Sequence, residues 1–158
     1  MSKLYVNEIV EANAGAGVAI PGHVIQVVQS TYATETSTTS TTFASTGLTA
    51  SITPTSSSSK ILVLLSMGSS GVNNNAAEAR GYFRLMRGAS ELYRMDLRAY
   101  DYGNSGSISF VAHGQSYLDS PSTISSVTYT LEQRASTGTI RVCESDNLIS
   151  MQLLEIAQ

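Results

Sequence analysis

The sequence is divided into short β-prone segments by clusters of turn-forming residues, and no long helical period runs through it. Serine and threonine account for 25 and 16 of the 158 residues, and β-branched residues and tyrosine are frequent between the turns. These residue types suit a pleated, half-buried strand better than a helix. The best amphipathic window, 74–80, is short. The chain is therefore predicted to be all-β.

Ten strands are predicted, separated by clusters of Gly, Ser, Asn and Pro such as 68–71 and 103–106. The segment 87–90 has the composition of a hairpin tip. Many short strands without helical crossovers predict an antiparallel β-sandwich or jelly-roll-like fold. The predicted strands are 4–10, 23–32, 48–53, 60–67, 80–87, 91–97, 107–113, 124–134, 138–142 and 148–156.

Two of these strands are apolar on both faces. Residues 61–65 read Ile-Leu-Val-Leu-Leu, and 148–156 is apolar on much of both faces. In 124–134, by contrast, Val127, Tyr129 and Leu131 alternate with hydroxylated residues, so one parity faces a core and the other faces water. A strand with two apolar faces has to be covered twice, either by loops above the sandwich or by a neighbouring chain, and the presence of two such strands predicts an interface between subunits.

The first 22 residues differ from the rest. A possible strand is followed at 12–22 by small residues that supply little core of their own. Residues 1–22 are predicted to form an arm that packs on copies of itself or docks on a larger body, and 23–158 to form the sandwich domain. A frayed N-terminus is the alternative. The candidate attachment and oligomer-interface residues are Leu4, Val6, Ile9, Val18, Ile20 and His23. The hydroxyl-rich stretch 30–46 is expected to be a loop or a polar edge strand.

Several functional classes are disfavoured by composition. A net charge of −3 offers no basic surface for nucleic acid. The longest apolar run, 61–65, is far shorter than a membrane span. The N-terminus lacks the apolar region of a signal peptide. Cys143 is the only cysteine, so neither an intrachain disulfide nor a cysteine-based metal site is expected.

No catalytic constellation is predicted, and no cofactor is expected. His23 and His113, the only histidines, lie in settings where structural roles are the default. Residues 103–107 depart from the Gly-x-Ser-x-Gly pattern at its last position. Residues 15–20 begin like a dinucleotide-binding motif but lack its third glycine and its helix. The turn with Glu144, Asp146 and Asn147 is better read as solvated than as a Ca²⁺ site. The chain is expected not to be an enzyme.

Basic and aromatic residues are concentrated in 80–101, which holds five of the nine lysines and arginines. Cross-strand ion pairs are one interpretation of this stretch. A protein or glycan contact is the other, because Arg and Tyr are enriched at interfaces. The candidate surface-recognition residues are Tyr82, Arg84, Tyr93, Arg94, Tyr100 and Tyr102.

Four groups of residues follow one another in an order that resembles a known family. They read KLYVNEI (3–9) with GVAIPGHVIQVV (17–28), TGLTASITP (46–54) running into KILV (60–63), YLDSP (117–121) before VTY (127–129), and LLEIA (153–157). Together they resemble small fibre-like structural proteins of tailed bacteriophages, especially phages of cyanobacteria and other marine hosts. The resemblance implies a trimeric virion component with an N-terminal attachment segment, a β-sandwich head and no catalytic residues.

These expectations combine into one functional hypothesis. The chain is expected to be a homotrimeric short tail fibre or fibre-like protein that is made in the host cytoplasm and attaches to other virion proteins through its arm. Contact with a host-surface glycan is a possible further role. The alternatives are a capsid fibre or decoration protein, and a carbohydrate-binding β-sandwich module that uses its tyrosines as stacking surfaces. No nucleic acid and no membrane insertion are expected.

Overall fold

The computed structural model describes residues 20–74, 78–100 and 106–158. They form ten strands and a single 3₁₀ turn, Glu144–Asp146, which confirms the all-β prediction. No helix in these ranges is long and apolar enough to cross a membrane. The strands are β1 Val24–Tyr32, β2 Thr36–Thr38, β3 Ala44–Ile52, β4 Lys60–Asn74, β5 Glu78–Arg87, β6 Ser90–Tyr100, β7 Ser107–Asp119, β8 Val127–Thr137, β9 Thr139–Val142 and β10 Ile149–Ile156.

The strands form two antiparallel sheets that pack face to face. In sheet A, β10 lies between β1 and β4, and β7 pairs with the other side of β4. The short strands β9 and β2 extend sheet A beyond the end of β10. Sheet B has the order β3-β8-β5-β6. Eight main strands divided in this order between two sheets make a jelly roll, so the predicted sandwich is confirmed.

Side-chain alternation places the core between the sheets. On β4, Ile61, Val63 and Leu65 are buried, whereas Leu62 and Leu64 point away from the core and stay half-buried. On β8 the predicted parity is confirmed: Tyr129 and Leu131 are fully buried, and Val127 packs against the same core.

Some predicted boundaries were wrong. β4 continues through 68–71, which was predicted as a turn. β7 continues past residue 113 to residue 119, and its residues 114–119 pair with residues 61–66 of β4. A bulge between Met67 and Ser70 keeps the two strands paired. Within this pairing, position 71 requires glycine because a Cβ there would overlap the carbonyl oxygen of Ser109. The glycine therefore marks close strand packing rather than a turn.

Other local predictions have mixed outcomes. The hairpin tip at 87–90 is confirmed: β5 and β6 meet there, and Gly88 has a φ of 53°. The hydroxyl-rich stretch 30–46 contains the short strand β2. β8 begins at Val127 and not at residue 124. The predicted strand 4–10 lies outside the described residues.

Candidate functional site

The outer face of sheet A carries a row of apolar side chains from one edge strand to the other. Val27 of β1 lies opposite Leu154 of β10. Leu154 lies opposite Leu62 of β4, which in turn lies opposite Leu118 of β7. Directly opposed side chains on one face of a sheet are close enough to touch. Val27 and Leu118 are 59% and 52% exposed, and the two central leucines are half-buried. These four residues form the apolar row.

Exposed apolar side chains are concentrated on sheet A. Nine large hydrophobic side chains are exposed among the described residues, and sheet B contributes one of them, Tyr100. Lys60 is the one charged residue at an outward position of the described parts of β1, β10, β4 and β7. The outer face of these four strands is thus nearly uncharged, and beside the apolar row it carries polar residues such as Gln29, Gln152 and Ser116. The exposed residues at outward positions of its strands are Val24, Val27, Ile108 and Leu118, whereas exposed Val111 has the inward parity of Ser109 and His113.

The described part of the predicted arm, residues 20–22, contacts the C-terminal end of the chain. The N–H of Gly22 donates to the carbonyl of Ala157 at 2.8 Å, and the N–H of Ala157 donates to the carbonyl of His23 at 3.0 Å. The N–H of Ile20 donates to Nδ1 of His23 at 3.0 Å. Ile20 and His23 therefore lie together beside the first residue of β1. The candidates outside the described residues are Leu4, Val6, Ile9 and Val18.

On the outer face of sheet B, guanidinium groups lie against two aromatic rings. The Cζ atom of Arg84 lies 4.0 Å from the centre of the Phe43 ring. Arg134 lies 5.1 Å from the same ring and 4.5 Å from the ring of Tyr82. Arg94 contacts Phe43 from 5.3 Å. Each such contact stabilises an exposed site by roughly 0.5–1 kcal/mol. Phe43 was not a candidate, because only the strand register brings it to these arginines.

Opposed arginines on β5 and β6 share a carboxylate. Arg84 lies directly opposite Arg94, and Glu91 forms ion pairs with them at 3.2 and 2.8 Å. The hydrogen bond from Arg94 lowers the pKa of the Glu91 carboxyl below its usual value. One carboxylate thus relieves the repulsion that two like charges in register would produce.

Asp96 has the same role for a second arginine pair. Arg80 lies opposite Arg98, and Asp96 forms ion pairs with them at 3.0 and 2.9 Å. The hydrogen bonds that Arg98 donates to Asp96, and then to the hydroxyl oxygen of Tyr100, raise the pKa of Arg98. Because these side chains are well exposed, each pair adds little stability. The basic stretch therefore forms cross-strand ion pairs, the first of its two interpretations.

The six candidate recognition residues do not form a single surface. Tyr93 faces inward and packs against the core. Tyr100, at the end of β6, is 54% exposed. Tyr102 lies outside the described residues. Those that share the outer face of sheet B are Tyr82, Arg84, Arg94 and, at the end of its strand, Tyr100.

A groove of about 360 Å³ opens between the edge strands β6 and β7. Here the two sheets separate at one side of the sandwich. Its wall on β7 was missed from the sequence, because Gln115 lies beyond the predicted strand 107–113 and the polar residues Ser109 and His113 within it were not assigned a face. The inward-facing residues that line it are Tyr93, Met95, Leu97, Ser109, His113 and Gln115.

The other reactive side chains have structural partners. Nε2 of His113 lies 3.2 Å from the carbonyl oxygen of Ser70. Cys143 is buried, and burial raises the pKa of its thiol. Glu144, a residue of the acidic turn, forms an ion pair with Arg141 at 3.1 Å. Within the described ranges, no group of three His, Cys, Asp or Glu side chains is placed to hold a metal ion.

Neither a protein-family model nor a curated protein sequence matches the chain. Function is therefore inferred from the surfaces and the groove themselves. The outer face of sheet A, the charged outer face of sheet B and the groove between β6 and β7 differ in chemistry, and each suits a different kind of contact.

Proposed function

We propose that the chain is a structural subunit of a tailed-bacteriophage virion, a short tail fibre or fibre-like protein that assembles as a homotrimer. The observation that carries the proposal is the apolar row, which leaves one face of the jelly roll without a second layer among the described residues. Jelly rolls occur in viral capsid and lectin domains, among others. The jelly roll and the sequence resemblance therefore agree on the fold, and a shared fold does not by itself establish a function.

A second copy of the chain is the partner that this face suits best. Interfaces of permanent homo-oligomers are more apolar than ordinary surface. Lys60 is the one charge at an outward position of the described parts of β1, β10, β4 and β7, so copies of the face would bring few like charges together. Burying the exposed half of Val27 or Leu118 would contribute about 1 kcal/mol per side chain. The outer face of sheet B, with its many ion pairs, is suited to water instead.

The position of Ile20 supports attachment through the N-terminal segment. Residues 20–22 are held beside Ala157, and Val24 pairs with Ile156 at the same end of sheet A. Residues 1–19 are therefore joined to the body next to the apolar row. We infer that this segment links the trimer to another virion protein.

Two leucines of equal exposure provide a matched test of assembly. Leu118 ends the apolar row, Leu148 lies in a loop, and both are 52% exposed. In analytical ultracentrifugation the full chain should sediment with about three times its mass of 16.7 kDa. Leu118→Asp should release folded monomers, whereas Leu148→Asp should remain trimeric. A wild-type chain that stays monomeric throughout a dilution series would overturn the homotrimer.

Association with the particle requires a separate experiment. Removing residues 1–19 spares the turn that binds Ala157, so the strand content should be unchanged by circular dichroism. The shortened chain should be lost from purified virions that retain the full chain. Gold-labelled antibody on intact particles then separates a tail fibre from the alternative, a capsid fibre or decoration protein. Absence of the full chain from virions would refute the virion role.

The remaining alternative is a carbohydrate-binding module that stacks sugars on several neighbouring tyrosines, and the described tyrosines do not form such a row. Tyr82 and Tyr93 lie on opposite faces of sheet B. Exposed Tyr100 stands apart at the end of β6. We therefore keep the virion subunit as the proposed function.

A further inference from the structure

The groove between β6 and β7 has two chemically different walls. The wall on β6 consists of Tyr93, Met95 and Leu97, which alternate with the outward-facing charged residues of that strand. Met95 and Leu97 are 8% and 9% exposed, and Tyr93 is half-buried. This wall therefore presents an aromatic ring beside an aliphatic floor.

The opposite wall is polar although it faces the inside of the sandwich. Gln115 pairs with Leu65 of β4 and His113 with Met67, both core residues, so the two polar side chains point inward. Ser109 reaches the same groove further along β7. Both Ser109 and Gln115 line the groove, and neither side chain donates or accepts a hydrogen bond within the described part of the chain.

The tautomer of His113 follows from its partner. The carbonyl oxygen of Ser70 can only accept a hydrogen bond, so Nε2 of His113, 3.2 Å away, carries the proton. Nδ1 of the neutral ring is then an acceptor. Together with the amide of Gln115 and the hydroxyl of Ser109, it gives the wall both donors and acceptors without a charge.

Charges at the rim are already paired. Arg94 is bound to Glu91 at 2.8 Å, and Asp96 is bound to Arg98 at 2.9 Å. An anionic ligand would have to displace one of these carboxylates, whereas a neutral one would not. The groove volume of about 360 Å³ lies at the lower end of the range of small-molecule sites.

We propose that this groove binds a neutral carbohydrate, with one or two sugar rings seated in it. The C–H face of a ring packs on Tyr93, and hydroxyl groups bond to Gln115, His113 and Ser109. The inference goes beyond the virion role and does not rest on it, because it requires only the folded sandwich. If the chain proved not to form trimers or not to associate with particles, the sugar site would still stand. If no sugar bound, the trimer and the virion role would still stand.

The test uses the full chain and a panel of neutral trisaccharides of glucose, galactose, mannose and N-acetylglucosamine, with sialylated and sulfated glycans as the anionic arm. At least one neutral sugar should bind in calorimetry and shift backbone amide resonances within 93–98 and 109–115. Gln115→Ala should weaken binding about tenfold, the effect of losing one well-placed hydrogen bond. Thr128→Ala, on the exposed outer face of β8 and away from the groove, should leave affinity unchanged.

His113→Phe gives a second variant in which the ring is kept and the Nδ1 acceptor is removed. It should also weaken binding, and circular dichroism confirms that each variant is folded. The proposal is overturned if no neutral sugar binds at millimolar concentration, or if Gln115→Ala and His113→Phe both bind like the wild type. Binding restricted to the anionic glycans, with shifts at Arg84 and Arg134, would also overturn it.

Discussion

The hydroxyl of Tyr129 donates a hydrogen bond of 2.6 Å to Oδ2 of Asp119 and so joins an inner strand of sheet B to an edge strand of sheet A. Asp119 is only 5% exposed. Arg87, at the end of β5, donates to both oxygens of the same carboxylate at 2.8 Å. A buried charge is tolerated only when it is paired and hydrogen-bonded. The three side chains meet this condition together and form a clamp across the sandwich.

Removing the Tyr129 hydroxyl should weaken the clamp without breaking it. Tyr129→Phe is expected to lower the free energy of unfolding by about 1–2 kcal/mol, because Asp119 keeps its pair with Arg87. Asp119→Ala should cost about 3 kcal/mol, the low end for breaking a buried pair, since it leaves the buried hydroxyl of Tyr129 and the half-buried Arg87 unpaired. Urea unfolding followed by circular dichroism measures both. Tyr117→Phe is the control: Tyr117 packs against the same core outside the clamp, and equal losses for the two phenylalanine variants would contradict the prediction.

The clamp also predicts how stability changes in alkali. Burial, and then the hydrogen bond to Asp119, raise the pKa of Tyr129 above its ordinary value of 10.0. The unfolded chain therefore loses this proton first, so the contribution is fully present below about pH 10 and is lost as pH rises further. The free energy of unfolding should fall more steeply above pH 10 in the wild type than in Tyr129→Phe. Parallel pH profiles for the two proteins would refute the assignment.

Much of the fold could be predicted because strand alternation is a local signal. Tyr129 and Leu131 were assigned to the core from their parity alone, and the hairpin tip at 87–90 from its turn residues. The signal failed at 68–71, where glycine and serine mark the close approach of β7 and not a turn. Glycine permits both tight turns and close packing, and sequence alone does not separate them.

The candidate site was less predictable because it depends on pairing between distant strands. The two-sided apolar run 61–65 anticipated Leu62, but only the register shows that Val27 and Leu118 lie in line with it. The same holds for Phe43, which meets Arg84 across sheet B. Such contacts arise from register, which local composition does not specify.

Glu155 should make the protein sensitive to acid. Its carboxylate is fully buried in β10 and accepts hydrogen bonds from Nε2 of Gln26 at 2.6 Å and from the N–H and Oγ1 of Thr55 at 2.7 and 2.8 Å. Burial favours the neutral acid, but these donors outweigh it and hold the pKa of Glu155 below its usual 4.5. Its contribution is therefore present above about pH 4.5 and lost as pH falls through the lower folded-state pKa.

Glu155→Gln tests this dependence. The variant should be about 1–3 kcal/mol less stable near neutral pH, because an amide nitrogen would face donors. The difference from the wild type should shrink as the pH falls below the usual pKa of 4.5. Urea unfolding at a series of pH values measures it. Glu35→Gln, whose side chain is 47% exposed, should change stability by less than about 0.5 kcal/mol. A loss of stability in Glu155→Gln that is the same at every pH would contradict the prediction.

Two glycines on the paired strands β4 and β7 provide the sharpest test of the packing. A Cβ at Gly71 would overlap the backbone carbonyl of Ser109, which can move only if the strands separate. A Cβ at Gly114 would lie 3.9 Å from its nearest neighbour, the carbonyl oxygen of Leu65. Gly71→Ala should therefore lower the free energy of unfolding by more than about 2 kcal/mol. Gly114→Ala should be neutral or slightly stabilising, because alanine reduces the freedom of the unfolded chain. Equal urea midpoints for the two variants would show that β4 and β7 do not approach each other as closely at Gly71 as the structure requires.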